Sequence, residues 1–231
     1  RHPGRRIGPA LNLHPVYPAD DSPEAAAAVR HRDGLENRLY LDPILKGGYP
    51  EDTLEWISAR SPMPDHILDG DLAIIAEPVD LLGVQYYTPI FVDGRGERVI
   101  KHRTAQADWL EIYPEGMYDI LVRLTREYRP VPLVITENGI ATDDAPGPDG
   151  RVRDELRIAY LRDHLHAVHR AIGEGARVEG YFVWSLLDNF EWAEGYAHRF
   201  GIVYVDYPTQ RRIPKDSALW YREVAKSNEL R

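Results

Sequence analysis

Residues 133–139 read LVITENG, an apolar run that ends on Glu137, Asn138 and Gly139. A carboxylate at the mouth of an apolar strand is either a solvated loop charge or a reactive group held by donors. Other residues with usable chemistry follow similar runs. VQYY at 84–87 ends in Gln85, Tyr86 and Tyr87, and DNFEW at 188–192 carries Glu191 and Trp192. Aromatic rings beside carboxylates and amides suit a sugar, which offers flat C–H faces to stack on and hydroxyls to bond in pairs.

These residues are useful together only if the fold delivers them to one place. Apolar runs at Ile7–Val16, Val79–Tyr87, Pro132–Thr136 and Val178–Leu187 predict four strands. Helical segments are expected at Pro23–Leu41, capped by Asp21 or Ser22, at Glu51–Arg60 and at Asp65–Ala76. Met117, Ile120, Leu121, Leu124 and Tyr128 form an apolar stripe behind Pro114, and Ile158, Leu161, Leu165, Val168 and Ile172 form one within Arg153–Gly173. Phe200–Tyr207 predicts a short extra strand, Ser217–Ser227 a closing helix, and the segment after Tyr87 a long polar loop. Nearly unalternating strands separated by amphipathic helices imply a parallel sheet covered by helices. In such sheets the chemistry gathers at the carboxyl ends of the strands. The expected rim therefore holds Pro15, Tyr17 and Pro18, Gln85 to Thr88, Glu137 to Gly139, and Asp188 to Trp192.

Bulk properties narrow the classes. With 231 residues, the chain suits one sizeable domain or part of a larger one. A formal net charge of −9 argues against nucleic acid as a partner. The absence of cysteine excludes disulfides, zinc thiolates and a thiol nucleophile. No run approaches the roughly 20 apolar residues of a membrane span, and RHPGRRIG does not resemble a secretion signal. The expectation is a cytoplasmic protein that touches neither membrane nor nucleic acid. The chain opens without Met and straight into a strand pattern, as expected of a sequence beginning inside a fold.

Four stretches carry a resemblance. TENG at 136–139, VQYYT at 84–88, DGLENRLYLDPILKGGYP at 33–50 and GYFVWSLLDNFEWAEGYAHRFGIVYVDY at 180–207 resemble glycoside hydrolase family 1, the retaining β-glucosidases. The resemblance covers nearly the whole chain, with its motifs in order. It implies an α/β fold, the (β/α)8 TIM barrel, of which residues 1–231 would be a single segment carrying strands 5–8, the C-terminal half. It also implies hydrolysis of a β-glucoside or cello-oligosaccharide without metal or cofactor. By resemblance Glu137 is the nucleophile and should be surrounded by hydrogen-bond donors that favour its ionised form. Tyr87 contacts it, Glu191 and Trp192 grip the far sugar hydroxyls, Trp184 lies beneath the ring, and Phe200 is at the pocket wall. A carboxylate at 191 would repel a 6-phosphate.

Blander readings stand beside these. Trp184 fits core packing, Glu191 a cap or surface charge, and one of Tyr86 and Tyr87 must face away, since they alternate across a strand. His164, His166 and His169 invite a metal site but lack a supporting carboxylate or cysteine pattern. Two positions depart from the family. Gln85 stands where Asn is usual, and its extra methylene is expected to degrade positioning. Trp109-Leu110-Glu111 replaces the usual Gly-Trp-Glu order, which is expected to displace by one position the tryptophan on the leaving-group side.

The largest departure is the acid/base. The family draws it from an N-E-P motif after strand 4, and the sequence contains none. Ala76-Glu77-Pro78 precedes a strand, which puts Glu77 at the wrong end of the sheet. The expected partner is an N-terminal half-barrel polypeptide that closes the barrel and supplies the second carboxylate. Two alternatives stay open: a catalytically incomplete fragment that binds glycans or is structural, and a different (β/α) enzyme pairing Glu137 with Glu191.

Overall fold

The computed structural model describes residues 4–61, 67–128 and 131–230. Four parallel strands form the central sheet in the order β1 (Ala10–Asn12), β3 (Leu82–Gln85), β6 (Leu133–Glu137) and β7 (Val178–Tyr181). Four consecutive parallel strands with helices between them are what part of a (β/α)8 barrel requires. The predicted strands around Leu82 and Leu133 are present, and the outer two are shorter than their apolar runs. The run Ile7–Val16 breaks after Asn12, and β2 (Val16–Pro18) leaves the central sheet to pair with β4 (Ile90–Val92). Leu13, between the two, is fully buried in the core. The run Val178–Leu187 leaves the strand at Tyr181 for the same reason: Val183 and Trp184 pack against a second apolar cluster around Tyr87, Tyr160, Leu161 and Phe200. An apolar run thus marks burial beyond the ladder.

The segment after Tyr87 is not a purely polar loop. Ile90, Phe91 and Val92 are buried, and β4 turns back as a hairpin with β5 (Arg98–Val99). The predicted extra strand is half of a second hairpin, β8 (Val203–Asp206) with β9 (Arg211–Pro214).

Helices cover the sheet. The predicted Pro23–Leu41 helix is a continuous run of α1 (Pro23–Asp33), one π-helical stretch (Gly34–Arg38) and α2 (Leu39–Leu45). Ser22 caps it, its Oγ accepting from the Ala25 amide at 3.1 Å. Next come α3 (Glu51–Ser58) and α4 (Asp71–Ile75). Part of the predicted Asp65–Ala76 helix, residues 65 and 66, lies outside the described residues. The two long stripes fold into α5 (Pro114–Glu127) and α6 (Glu155–Gly173), which pack together, with Tyr128 buried just past the end of α5 and Ile172, expected on the apolar face of α6, exposed at its last turn. Met117, Ile120, Leu121 and Leu124 of α5 bury against Leu82, Val84, Leu133 and Ile135 of the sheet. Burial of this face stabilises the packing by about 25 cal/mol per Å² of apolar surface removed from water. The closing helix is α7 (Asp216–Ser227). Among the described residues, no helix is long and apolar enough to cross a membrane.

Candidate active site

Glu137 is the last residue of β6, and a register shift between Val84 and Gln85 sets Gln85 directly opposite it. Both carboxylate oxygens are held by the end of β3 and the residues just past it. Gln85 Nε2 donates to Oε1 at 2.8 Å, and the Tyr87 hydroxyl donates to Oε2 at 2.7 Å. The alternation of the strand sorts the tyrosines: Tyr86 is fully buried, with its hydroxyl on the Tyr113 carbonyl at 2.6 Å, while Tyr87 faces the site. Burial, then the Glu137 carboxylate, pushes the Tyr87 hydroxyl well above its ordinary value, so it stays a donor.

The rest of the T-E-N-G motif is explained by how the chain leaves the strand. Asn138 is fully buried with both ends of its amide engaged. It donates to the Tyr86 carbonyl at 2.7 Å and accepts from the Tyr181 hydroxyl at 2.5 Å. Gly139 is required by close approach: a Cβ there would stand 1.7 Å from the Trp184 carbonyl oxygen. The Trp184 amide donates to the Asn138 carbonyl at 3.0 Å, so the two loops run against each other immediately above Glu137.

The cavity over Glu137 measures about 450 Å³ and is lined by all seven predicted residues: Glu137, Gln85, Tyr87, Trp184, Glu191, Trp192 and Phe200. Trp184 serves as both wall and packing, because it borders the cavity and also belongs to the second apolar cluster. Phe200 is buried, its ring edge-on to Tyr87 with centroids 6.2 Å apart. Trp192 is 83% exposed and sits at φ 42°, a left-handed conformation seldom adopted by a bulky residue and one that recurs at binding sites. The turn is closed by the Glu191 amide donating to the Gly195 carbonyl at 2.6 Å. Partial burial raises the Glu191 carboxyl above its ordinary value, with Glu137 and Glu194 adding to the rise and His198 opposing it.

Two further residues line the cavity. Asn12 ends β1 beside Gln85. It is not among the expected rim residues because the rim is sought at Pro15 to Pro18, and the strand ends earlier, at Asn12. The readable signal was a lone amide inside the apolar run ALNL. Trp109 also lines the cavity, 6.3 Å from the Tyr87 ring, despite its displacement in sequence. Arg98 Nη2 donates to the Trp109 carbonyl at 2.6 Å, the Glu111 amide donates to Thr88 Oγ1 at 3.0 Å, and Glu111 Oε2 accepts from the Lys101 and His102 amides at 2.8 Å each.

Other candidates lie elsewhere. Glu77 sits between α4 and β3, at the amino end of the sheet, whereas Glu137 is at the carboxyl end. Of the three histidines, His166 and His169 are exposed and His164 is buried in α6, its Nδ1 2.7 Å from the Tyr160 carbonyl. Among the described residues, no group of three His, Cys, Asp or Glu side chains is placed to hold a metal ion.

The whole chain, compared with known proteins, falls in one family. The sequence model described as glycosyl hydrolase family 1 matches residues 1–230. The chain belongs to glycosyl hydrolase family 1. Beta-glucosidase A of Thermotoga maritima is 46% identical over 233 residues, covering 97% of this chain and 51% of the relative. Thermostable beta-glucosidase B of Thermobispora bispora is 47% identical, covering 98% and 49%. The solved structure of the family 1 β-glucosidase from Thermotoga maritima superposes with a TM-score of 0.91 at 45% identity, covering 98% of this chain and 52% of that one. This family 1 chain spans about half the length of the curated relatives it matches.

Proposed function

We propose that residues 1–231 are the C-terminal half of a retaining β-glucosidase and that Glu137 is its nucleophile. The observation that carries this reading is the Glu137 carboxylate, held at each oxygen by Gln85 and Tyr87 on the floor of a cavity walled by tryptophans. In the reaction, Glu137 attacks the anomeric carbon of a terminal β-glucosyl residue and forms a glycosyl ester. Tyr87 and Gln85 hold the carboxylate in line for attack. Trp184 supports the sugar ring, Glu191 and Trp192 take the hydroxyls farthest from the scissile bond, and Phe200 closes the wall. Asn12 and Trp109 face the leaving group. No residue of this chain supplies the leaving group's proton: the sequence has no N-E-P. That carboxylate comes from a first-half polypeptide, about 5–5.5 Å from Glu137 as a retaining pair requires. The partly desolvated Glu191 carboxylate is a poor neighbour for a second anion, which favours unphosphorylated sugars.

The test is turnover of a nitrophenyl β-glucoside by the purified chain, alone and mixed with a first-half polypeptide ending in N-E-P. The mixture is expected to hydrolyse it and the chain alone is not. Glu137→Ala is expected to abolish the activity of the mixture, with partial rescue by azide. Turnover by the chain alone would show that the proton donor lies within these residues. Sugar binding without turnover in either arm would favour a glycan-binding module.

A further inference from the structure

Beneath the rim lies a group of buried charges that the proposed chemistry does not use. Arg157, Lys215 and Arg199 face Asp144, Asp154 and Asp188, three cations against three carboxylates. The side chains of Arg157 and Lys215 are fully buried. Lys215 Nζ bridges Asp144 at 2.5 Å and Asp188 at 2.9 Å. Burial, and then the Arg157 charge, lowers the Lys215 ammonium from its ordinary value, while the two aspartates oppose that shift.

Arg157 touches both active-site loops. Its Nε donates to the Ile140 carbonyl at 3.3 Å, three residues past Glu137, and its Nη2 donates to the Arg199 carbonyl at 2.7 Å, next to Phe200. The same guanidinium contacts Asp144 at 2.8 Å and Asp154. The Thr142 amide adds a second bond to the Arg199 carbonyl at 3.3 Å. Asp188 holds the other side of the sugar-binding loop, accepting from the Gly201 amide at 3.0 Å and from Arg199 at 2.6 Å.

We infer that Arg157 is a positioning residue that sets the distance between the loop carrying Glu137 and the loop carrying Glu191, Trp192 and Phe200. The inference rests on the glycosidase reading for its consequence but not for its geometry. A planar fork with five donors can reach two carbonyls and two carboxylates at once, and an ammonium cannot. Arg157→Lys therefore keeps the charge and loses the span. A misplacement of about 1 Å between attacking and binding groups costs on the order of a hundredfold in rate.

The experiment compares Arg157→Lys with Arg123→Lys, a change in the ion cluster between α1 and α5. With the first-half polypeptide present, Arg157→Lys is expected to lower kcat/KM for the nitrophenyl β-glucoside by roughly 10- to 100-fold, with a rise in KM. Arg123→Lys is expected to leave kcat and KM within about twofold. In the chain alone, hydrogen exchange at Thr142 and Gly201 should speed up together in Arg157→Lys, while the α5 amides of Ile120 and Leu121 keep wild-type protection. If Arg157→Lys does not fold, Arg157→Met with Asp154→Asn keeps the cluster neutral and carries the same expectations. Wild-type kinetics in the Arg157 variant, equal losses in both variants, or unchanged exchange at the two loop amides would overturn the inference. An inactive wild-type mixture would instead defeat the glycosidase reading, and the exchange result would then decide the positioning role by itself.

Discussion

Two ion clusters of similar composition perform different tasks in this chain. Between α1 and α5, Asp33 takes Arg123 and Arg38, and Arg38 continues to Asp52. Beneath the rim, Arg157 and Lys215 tie Asp144, Asp154 and Asp188. The first joins helix to helix, keeps part of each side chain in solvent, and has bidentate contacts to side chains alone at Asp33. The second is dry, and Arg157 in it also donates to carbonyls of two separate loops, whereas the carbonyl that Arg38 reaches in the first belongs to Arg30 of α1 itself. A buried ion pair adds little net stability, because desolvation offsets most of the attraction, but removing one partner strands the other. The difference lies in what each cluster fixes: helix packing in one case, loop spacing around a cavity in the other.

Lys215→Met should break the rim cluster most severely. It leaves Asp144 and Asp188 buried with one cation fewer, and a loss of about 3–5 kcal/mol is expected from urea unfolding. A loss below 1 kcal/mol would mean that water already reaches these carboxylates. His164, buried in α6 against the rings of Tyr86 and Tyr160, offers a second test. Burial holds its imidazole down to about 4, opposed by the Tyr160 carbonyl bond. Its folded pKa lies below the unfolded value near 6.5, so its contribution is fully present above that value and disappears as pH falls toward 4. The loss between pH 7 and 5 is about 2 kcal/mol. It should be absent in His164→Phe when urea midpoints are compared at both pH values. The smallest effect is expected on the helix side. Arg123→Met leaves Asp33 with Arg38 and partial solvent, for a loss of about 1 kcal/mol. A loss as large as that of Lys215→Met would erase the contrast between the clusters.

The same contrast shows what the sequence made legible. The helices α5 and α6 and the inner strands β3 and β6 follow from apolar periodicity because each buries one face or both against the same core. Glu137, Tyr87 and Glu191 were legible because their motifs resemble a known family, and the cavity brings them together. The outer strands were overextended because Leu13, Val183 and Trp184 are apolar for packing outside the ladder, and that error hid Asn12. Trp109 lines the cavity from a loop that Arg98, Thr88 and Glu111 hold by hydrogen bonds, contacts that linear register does not reveal. The rim cluster had no local signature. Lys215, between Pro214 and Asp216, reads as an ordinary surface charge, and its partners lie 27 and 71 residues away in sequence.

The most direct measurement is the site of covalent labelling when the chain, combined with a first-half polypeptide, meets a 2-deoxy-2-fluoroglucosyl fluoride. The account predicts one added fluoroglucosyl group per chain, located by peptide mass on Glu137 and missing in Glu137→Gln. A label on Glu191, or steady turnover with no label on either, would contradict it.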